Sequence, residues 1–245
     1  MYNPYEMFHY STAFYSEGVF VPRIGVFTKK FEFPTLTENE QVWMTITPNE
    51  ITTMQKPIEK AHGKVLTLGC GLGYFAYMAA SKPDVESVTI VELSNDVIDI
   101  FIENILSQFK HPEKINIIHT DAVEYLKKIG NRDYDYCFAD IWTGAQDLKP
   151  YFSVKEILRS KSMESDCWIE NALAGEISSA VKAIMFFSLT RENIELSMLP
   201  PGERRLFGYA RRLTKDVHIK TPEDVKKYTN PKTIIDLIEN TKAKY

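Results

Sequence analysis

The sequence predicts an α/β protein with a doubly wound, mostly parallel sheet of Rossmann-like type. Three observations support this class: strand and helix patterns alternate between residues 64 and 141, a glycine-rich turn follows the first of these strands, and an acidic side chain follows each of the others. Repeated strand–helix units with short links favour a parallel sheet, because each helix crosses over to return the chain.

The N-terminal segment predicts a small antiparallel β element. Residues 1 to about 17 are aromatic and polar without a clear period, so we leave them unassigned. Four following stretches are rich in β-forming residues or alternate polar with apolar positions, namely 19–21, 25–28, 29–33 and 41–46. Thr47 is suited to be the N-cap of the following helix, with Pro48 at its first position and Glu50 at its third. Gly63 is expected to end this helix.

The central part of the chain predicts the Rossmann-like core. The expected strands are 64–68, 87–92, 115–119 and 134–141, and the expected helices are 74–81, 94–109 and 122–129. Ser94 and Asp121 are suited to cap the second and third of these helices.

The last third of the chain predicts a largely helical region. Helices are expected at 152–161, 204–213, 222–228 and 233–240, with breaks around Pro200 and Pro231. Residues 167–170 fit either a fifth strand or the start of a long helix, and we favour the helix because 164–187 contains no turn signal except Gly175. The predicted parts are therefore 1–47, 48–150 and 151–245.

Composition excludes several classes of protein and partner. The formal net charge is −4, which gives no reason to expect nucleic acid as the main partner. Four arginines form a local basic cluster, which we interpret as an exposed helix face: Arg204, Arg205, Arg211 and Arg212. The three cysteines are far apart and show no metal-ligand spacing, which favours a reducing compartment. The sequence shows no signal peptide and no apolar run long enough to cross a membrane. We therefore expect a cytoplasmic protein with no metal and no membrane partner.

The predicted functional site lies at the carboxyl ends of the parallel strands, where ligands bind in such sheets. Each of the four strand ends carries either a glycine turn or an acid, namely Gly69–Gly73, Glu92, Asp121 and Asp140. Glycines let backbone N–H groups approach a ligand, and the helix N-terminus behind them favours negative charge.

The spacing of the glycines disfavours a dinucleotide. Tyr74 occupies the position of the third glycine in the dinucleotide fingerprint G-x-G-x-x-G. Glu92 suits ribose hydroxyls, and Asp121 suits an adenine amino group with Ala122 packing nearby. Two structural alternatives stay open: Asp121 only caps the next helix, or Glu92 pairs with a surface lysine.

The sequence resembles the class I S-adenosylmethionine-dependent methyltransferases, and most of all their branch shared with the spermidine synthases and other polyamine aminopropyltransferases. The likeness covers roughly residues 19–142, including the small β element and helix before the glycine turn. The matching segments are 65–73 (VLTLGCGLG), 91–93 (VEL), 119–122 (HTDA) and 134–140 (YDYCFAD). Thr67 stands where most methyltransferases have an acid and the aminopropyltransferase branch has an apolar residue.

The resemblance implies S-adenosyl-L-methionine as cofactor. The glycine turn would hold its methionine part, Glu92 the ribose and Asp121 the adenine edge, while Asp140 would face the reacting centre. The expected binding residues are Gly69, Cys70, Gly71, Gly73, Tyr74, Glu92, Leu93, Asp121 and Ala122. Tyr74 and Glu50 are candidates for the amino-acid end of the cofactor.

Asp140 and Trp142 are the expected catalytic residues. Asp140 is suited to orient or deprotonate a nucleophile, and Trp142 to form an aromatic wall near the sulfonium. The aminopropyltransferase signature has a second Asp three residues after the first, but Thr143 stands there. The Pro-Pro-aromatic motif of base- and glutamine-directed methyltransferases is also missing.

Three hypotheses follow from these residues. The first is a methyltransferase acting on a small-molecule acceptor, the second is an aminopropyltransferase, and the third is a protein that binds the cofactor without catalysis. His119 is expected to be a packed or hydrogen-bonded histidine rather than a catalyst. The acceptor, the reacting atom and the oligomeric state, monomer or homo-oligomer, stay open at this point.

Overall fold

The structure, a computed structural model, describes residues 8–22, 24–39, 41–142, 148–190, 195–217 and 221–240. Its N-terminal part is a three-stranded antiparallel sheet with a two-stranded hairpin. The strands are β1 (Phe8–Tyr15), β2 (Phe20–Val21), β3 (Gly25–Val26), β4 (Phe31–Glu38) and β5 (Gln41–Thr45).

Strand β1 lies in the segment left unassigned from the sequence. It pairs antiparallel with β4 along its whole length, from Phe8 opposite Glu38 to Tyr15 opposite Phe31. Most of its side chains are exposed on both faces, so no alternation of apolar and polar residues marks it. Strand β4 also continues through Pro34, beyond the stretch 29–33 expected from the sequence.

The core alternates helices and strands in the predicted order. Its elements are α1 (Pro48–Lys60), β6 (Gly63–Leu68), α2 (Tyr74–Ala80), β7 (Val85–Glu92), α3 (Asn95–Asn104), β8 (Ile115–His119), α4 (Ala122–Lys128) and β9 (Tyr136–Ala139). Helix α3 ends earlier than expected and is followed by a 3₁₀ turn, Leu106–Gln108. Gly63 opens β6 instead of ending α1, since the helix stops at Lys60.

The remaining elements are α5 (Leu148–Arg159), β10 (Glu164–Cys167), α6 (Ile169–Thr190), α7 (Pro201–Leu213), α8 (Pro222–Tyr228) and α9 (Pro231–Asn240). The helix favoured over a fifth strand at residues 167–170 begins only at Ile169, because Cys167 ends the short strand β10, which pairs with β9. Pro201 and Pro231 begin helices, because the first helical position needs no backbone N–H.

The five core strands form one parallel sheet in the order β10-β9-β6-β7-β8. The order reverses between β6 and β9, which makes the gap beyond their carboxyl ends the topological switch point. The sheet interior is apolar: Val65, Leu66, Leu68, Ile90 and Phe138 are all almost completely buried. The predicted α/β class, with its N-terminal β element and helical C-terminal region, is confirmed.

The chain divides into two compact units, residues 1–141 with 154–168 and residues 142–153 with 169–245. In the second unit α6 packs against α7, α8 and α9. The domain boundaries predicted after residues 47 and 150 stay predictions. Within the described ranges, no helix combines the length and the apolar character needed to cross a membrane.

Side chains close both ends of α1. At the N-terminus the Thr47 hydroxyl accepts a hydrogen bond from the Glu50 N–H at 3.5 Å, as predicted. At the C-terminus the Lys82 ammonium donates to the carbonyls of Ile58 at 3.1 Å and Glu59 at 2.9 Å, and also to that of Ala61. A cation satisfies the last carbonyls and suits the negative end of the helix dipole. This closure fixes α1 against the start of β7.

We expect Lys82→Met to lower the free energy of unfolding by about 1–3 kcal/mol, because three helix-end carbonyls lose a charged donor. Lys127→Met is the matched control, since Lys127 is exposed and pairs only with Glu124 in the described structure. Urea unfolding followed by circular dichroism measures both variants. Equal effects of the two substitutions would show that Lys82 does not close the helix.

Candidate active site

The glycine turn after β6 is shaped by contacts that exclude side chains. Gly69 has φ +97°, and a Cβ there would lie 2.2 Å from the carbonyl oxygen of Asp140. Gly73 has φ +70°, and a Cβ there would lie 2.3 Å from the ring of Phe101. Glycine is therefore required at both positions by backbone conformation and by space. The turn lies directly against the strand end that carries Asp140.

Backbone hydrogen bonds tie the turn to its neighbouring strands. The Gly69 N–H donates to the Val91 carbonyl at 2.8 Å, and the Asp140 N–H donates to the Leu68 carbonyl at 2.9 Å. Met44, at the end of β5, lies over the turn, where its sulfur accepts from the Leu72 N–H at 3.3 Å. The turn is thus held from both sides of the switch point.

The Glu92 carboxylate braces the same turn. One oxygen accepts from the Cys70 N–H at 2.8 Å, and the other accepts from the N–H groups of Leu93 at 2.8 Å and Ser94 at 2.9 Å. The main chain, rather than a surface lysine, therefore holds this carboxylate. Three of its roughly four acceptor sites are used, which leaves one for a ribose hydroxyl.

Asp121 caps α4 and keeps one carboxylate oxygen for other partners. Its Oδ1 accepts from the Glu124 N–H at 2.9 Å, whereas its Oδ2 accepts from none of the residues that the structure describes. The side chain is exposed, and Ala122 behind it is buried. Capping and ligand binding are thus compatible, because each uses a different oxygen.

Asp140 follows β9 at the switch point, and its carboxyl group is poorly solvated. Burial, and then the negative charge of Glu50, raise the pKa of Asp140 to about 7. Burial also raises the pKa of Glu50, which is half-buried in the first turn of α1. Among described residues, no donor forms a hydrogen bond to either carboxyl group. A carboxyl with a pKa near neutrality is suited to general-base work.

The remaining predicted residues occupy different surroundings. Trp142 lies in the second unit, where it is buried with its ring centroid 5.9 Å from that of Tyr151. Its expected catalytic role stays a prediction. The Cys70 thiol is buried, and burial together with the charge of Glu92 raises its pKa, so it is no nucleophile. His119 is exposed rather than packed, and its Nε2 lies 2.9 Å from the Leu93 carbonyl.

A cavity of about 280 Å³ opens beside the turn. Gly73 and Tyr74 line it, whereas Glu92, Asp121 and Asp140 do not. Its other lining residues come from the N-terminal sheet, α2 and the end of α3: Tyr10, Pro34, Ile46, Leu72, Tyr77, Ile105, Gln108 and Phe109. The predicted site residues therefore fall into two groups, one around the strand ends and one toward this cavity.

Two residues, Met44 and Glu50, contribute more to the candidate site than the sequence predicts. Met44 was read only as part of an alternating strand, and no pattern marks a methionine as a partner of a turn. Glu50 was a secondary candidate for the cofactor, although its negative charge helps to raise the pKa of Asp140. The available signal for Glu50 was its place in the first turn of a helix that immediately precedes β6.

Fold and site together define an α/β protein of the Rossmann-like class, with a glycine turn and acids at one sheet edge. The chain matches the spermine/spermidine synthase domain over residues 44–190, more than half of its length. It belongs to this family, whose members are transferases. A search of curated proteins finds no match.

Solved structures similar to this chain include spermidine synthases and methyltransferases. Spermidine synthase from Thermotoga maritima is 14% identical over 58% of this chain and 57% of its own length, with a TM-score of 0.43. A probable spermidine synthase from Corynebacterium glutamicum is 14% identical over 71% and 67%, at 0.48. A SAM-dependent methyltransferase from Archaeoglobus fulgidus is 24% identical over 47% and 48%, at 0.35. The chain thus spans little more than half of the Thermotoga enzyme.

We expect Gly73→Ala to lower the free energy of unfolding by about 2–4 kcal/mol, because residue 73 has a positive φ and the added Cβ would clash with the Phe101 ring. Gly175→Ala is the matched control: a Cβ there meets nothing within 4 Å, so it should raise stability by about 0.5–1 kcal/mol. Denaturant unfolding measures both. Similar effects of the two changes would contradict the packing of Gly73 against Phe101.

The raised pKa of Asp140 also predicts a pH dependence of stability. The folded protein retains the Asp140 proton above the pH at which the unfolded chain loses it, so stability falls as pH rises from about 4 to 7. Asp140→Asn removes this loss and should gain about 1–3 kcal/mol relative to the natural sequence between pH 4 and pH 8. A stability difference that stays constant across this range would show that Asp140 ionises normally.

Proposed function

We propose that this protein transfers an alkyl group from an adenosyl sulfonium to a small-molecule nucleophile. The observation that carries the proposal is the position of Asp140, which is partly buried and lies beside the glycine turn at the switch point. Burial, followed by the negative charge of Glu50, raises the pKa of its carboxyl group to about 7. Membership of the spermine/spermidine synthase domain family supports the proposal.

The described residues fit an adenosyl cofactor. The Gly71 N–H donates to no group in the described part of the chain, so it is available to an acceptor on the methionine part, beside Gly69 and Cys70. Glu92 retains one acceptor site for ribose, and Asp121 Oδ2 is available to an adenine amino group. We infer that these groups hold the cofactor, with Leu93 and Ala122 flanking the adenosyl part.

Asp140 supplies the proton-transfer step. When bound, the sulfonium provides an electrophilic carbon, whose bond to sulfur breaks as the bond to the nucleophile forms, with the electron pair leaving on sulfur. Asp140 in its carboxylate form takes the proton that the nucleophile loses, and the turn beside it fixes the direction of approach. Holding both reactants in line contributes most of the rate, since a sulfonium is already a reactive leaving group.

The transferred group is either aminopropyl or methyl, and a different observation supports each. Aminopropyl transfer is favoured by the family, because the matched domain is that of spermine and spermidine synthases. Methyl transfer is favoured by the sequence after Asp140, where Thr143 stands in place of the signature's second acid. The preferred form of the cofactor separates them, because aminopropyl transfer uses decarboxylated S-adenosylmethionine.

Calorimetry with S-adenosylmethionine, its decarboxylated form and S-adenosylhomocysteine tests the proposal, together with mass spectrometry of products from amine, hydroxyl and thiol acceptors. We expect binding and turnover, and a loss of turnover of about 10²–10⁴-fold in Asp140→Asn with cofactor binding retained. Absence of binding to all three compounds by the folded protein would refute the proposal. Binding without any product would leave a cofactor-binding protein that does not catalyse.

A further inference from the structure

The cavity beside the glycine turn is not used by the proposed reaction. Glu92, Asp121 and Asp140 do not line it, and its ten lining residues all belong to the compact unit of residues 1–141 with 154–168. Its walls come from the N-terminal sheet, the end of the glycine turn, α2 and the segment that follows α3. Its volume of about 280 Å³ is close to the lower limit of small-molecule sites.

The floor of this cavity is fixed by the packing of the core. Leu72 and Phe109 are both buried. The Phe109 ring packs edge-on against Tyr77, with ring centroids 5.1 Å apart, and against Phe101 at 5.5 Å. The Leu72 N–H is held by the Met44 sulfur at 3.3 Å. The apolar floor is therefore formed before a ligand arrives, which lowers the cost of ordering side chains on binding.

The rim of the cavity carries polar groups that are available to a ligand. Tyr10 and Tyr77 are exposed and Tyr74 is half-buried, and none of their hydroxyls bonds to a described residue. The Gln108 Nε2 donates to the Asn104 carbonyl at 2.6 Å, whereas its Oε1 accepts from no described residue. A tyrosine hydroxyl both donates and accepts, so the rim is suited to a single polar group of either kind.

The charge of the lining selects an uncharged ligand. Within the described residues, every side chain that lines the cavity is neutral. A carboxylate or an ammonium would lose water there without meeting a counter-ion, which costs free energy. A neutral molecule with one hydroxyl or N–H group avoids this cost and still satisfies the rim.

The rings and the volume of the cavity select an aromatic ligand of two rings. Four of the ten lining residues are aromatic, namely Tyr10, Tyr74, Tyr77 and Phe109. Aromatic ligands gain from edge-on or offset contacts with such side chains. A cavity of about 150 Å³ holds benzene, so about 280 Å³ suits two fused rings.

We propose that this cavity is a second ligand site, which binds a neutral two-ring aromatic molecule carrying one hydroxyl or N–H group. The rings lie on Leu72 and Phe109, and the polar group meets the tyrosine hydroxyls at the rim. The site goes beyond the proposed function and does not depend on it, since none of the strand-end acids takes part.

Calorimetric titration of the full chain with 2-naphthol and with indole tests the proposal. We expect each compound to bind at one site per chain. Naphthalene-2-sulfonate and 2-naphthylmethylammonium should bind at least about tenfold more weakly, because each would lose hydration without gaining a counter-ion. Absence of binding by both neutral compounds, or equal binding by the charged ones, would overturn the proposal.

Two variants locate the binding in this cavity. Ile105→Trp fills the space and should abolish binding of 2-naphthol, while Tyr10→Ala removes one aromatic wall and should weaken it at least about fivefold. Phe14→Ala is the matched control, because Phe14 is an exposed aromatic residue on the same face of β1 but does not line the cavity. It should change the affinity less than twofold. Unchanged binding in both cavity variants would refute the site.

Nuclear magnetic resonance of the natural sequence locates the ligand without any variant. Protons of bound 2-naphthol should show nuclear Overhauser contacts to the methyl groups of Ile46, Leu72 and Ile105, which line the cavity. Contacts to methyl groups elsewhere, with none to these three residues, would show that the compound binds at another place.

The same titration in the presence of S-adenosylhomocysteine separates this proposal from the proposed function. If the adenosyl compound binds and the affinity for 2-naphthol stays within twofold, the two sites are separate. Loss of 2-naphthol binding in its presence would assign the cavity to the cofactor site and overturn a second site. If no adenosyl compound binds, the proposed function fails, whereas the titrations with 2-naphthol still decide the role of the cavity.

Discussion

The close approach of the glycine turn to the end of β9 is the constraint on which the site depends. The strand order reverses between β6 and β9, so the loops that follow these two strands diverge and leave a crevice between them. Gly69 has no side chain, and its Cα can lie against the Asp140 carbonyl. Any larger residue there would push the two loops apart and separate the acid from the turn.

Two acids at this edge of the sheet have different surroundings: Asp166 lies in β10, and Asp140 directly follows β9. Asp166 accepts from the Tyr136 hydroxyl at 2.7 Å and pairs with Lys60 at 2.9 Å, so its charge is compensated within the protein. Asp140 has no such partner among the described residues, and burial, followed by the negative charge of Glu50, raises its pKa. The first arrangement stabilises the fold, whereas the second retains an unpaired charge, which is typical of a functional site.

The sequence was sufficient for those elements whose side chains follow one clear period. Strands β6, β7 and β9 are mostly buried apolar runs. Thr47, Ser94 and Asp121 cap helices as expected, because capping depends only on neighbouring residues. Strand β10 reads Glu-Ser-Asp-Cys, which carries no β signal, and it exists because its backbone completes the edge of β9.

The candidate site was predictable only in part for a similar reason. The acids at strand ends follow from topology alone, and the structure does bring the turn, Glu92 and Asp140 to one edge. The position of the first turn of α1, which carries Glu50, depends on the hydrogen bond that Trp168, far along the chain, donates to Thr53, and no local spacing encodes it. The bracing of the turn by Glu92 was likewise hidden, because it uses main-chain donors.

The burial of Cys70 has a consequence for chemical reactivity. This thiol sits inside the glycine turn, yet its raised pKa keeps it protonated, and the other two cysteines, Cys137 and Cys167, are buried as well. Thiolates, not thiols, react with alkylating reagents and peroxides. Oxidants and cysteine-directed electrophiles are therefore expected to react slowly at the glycine turn.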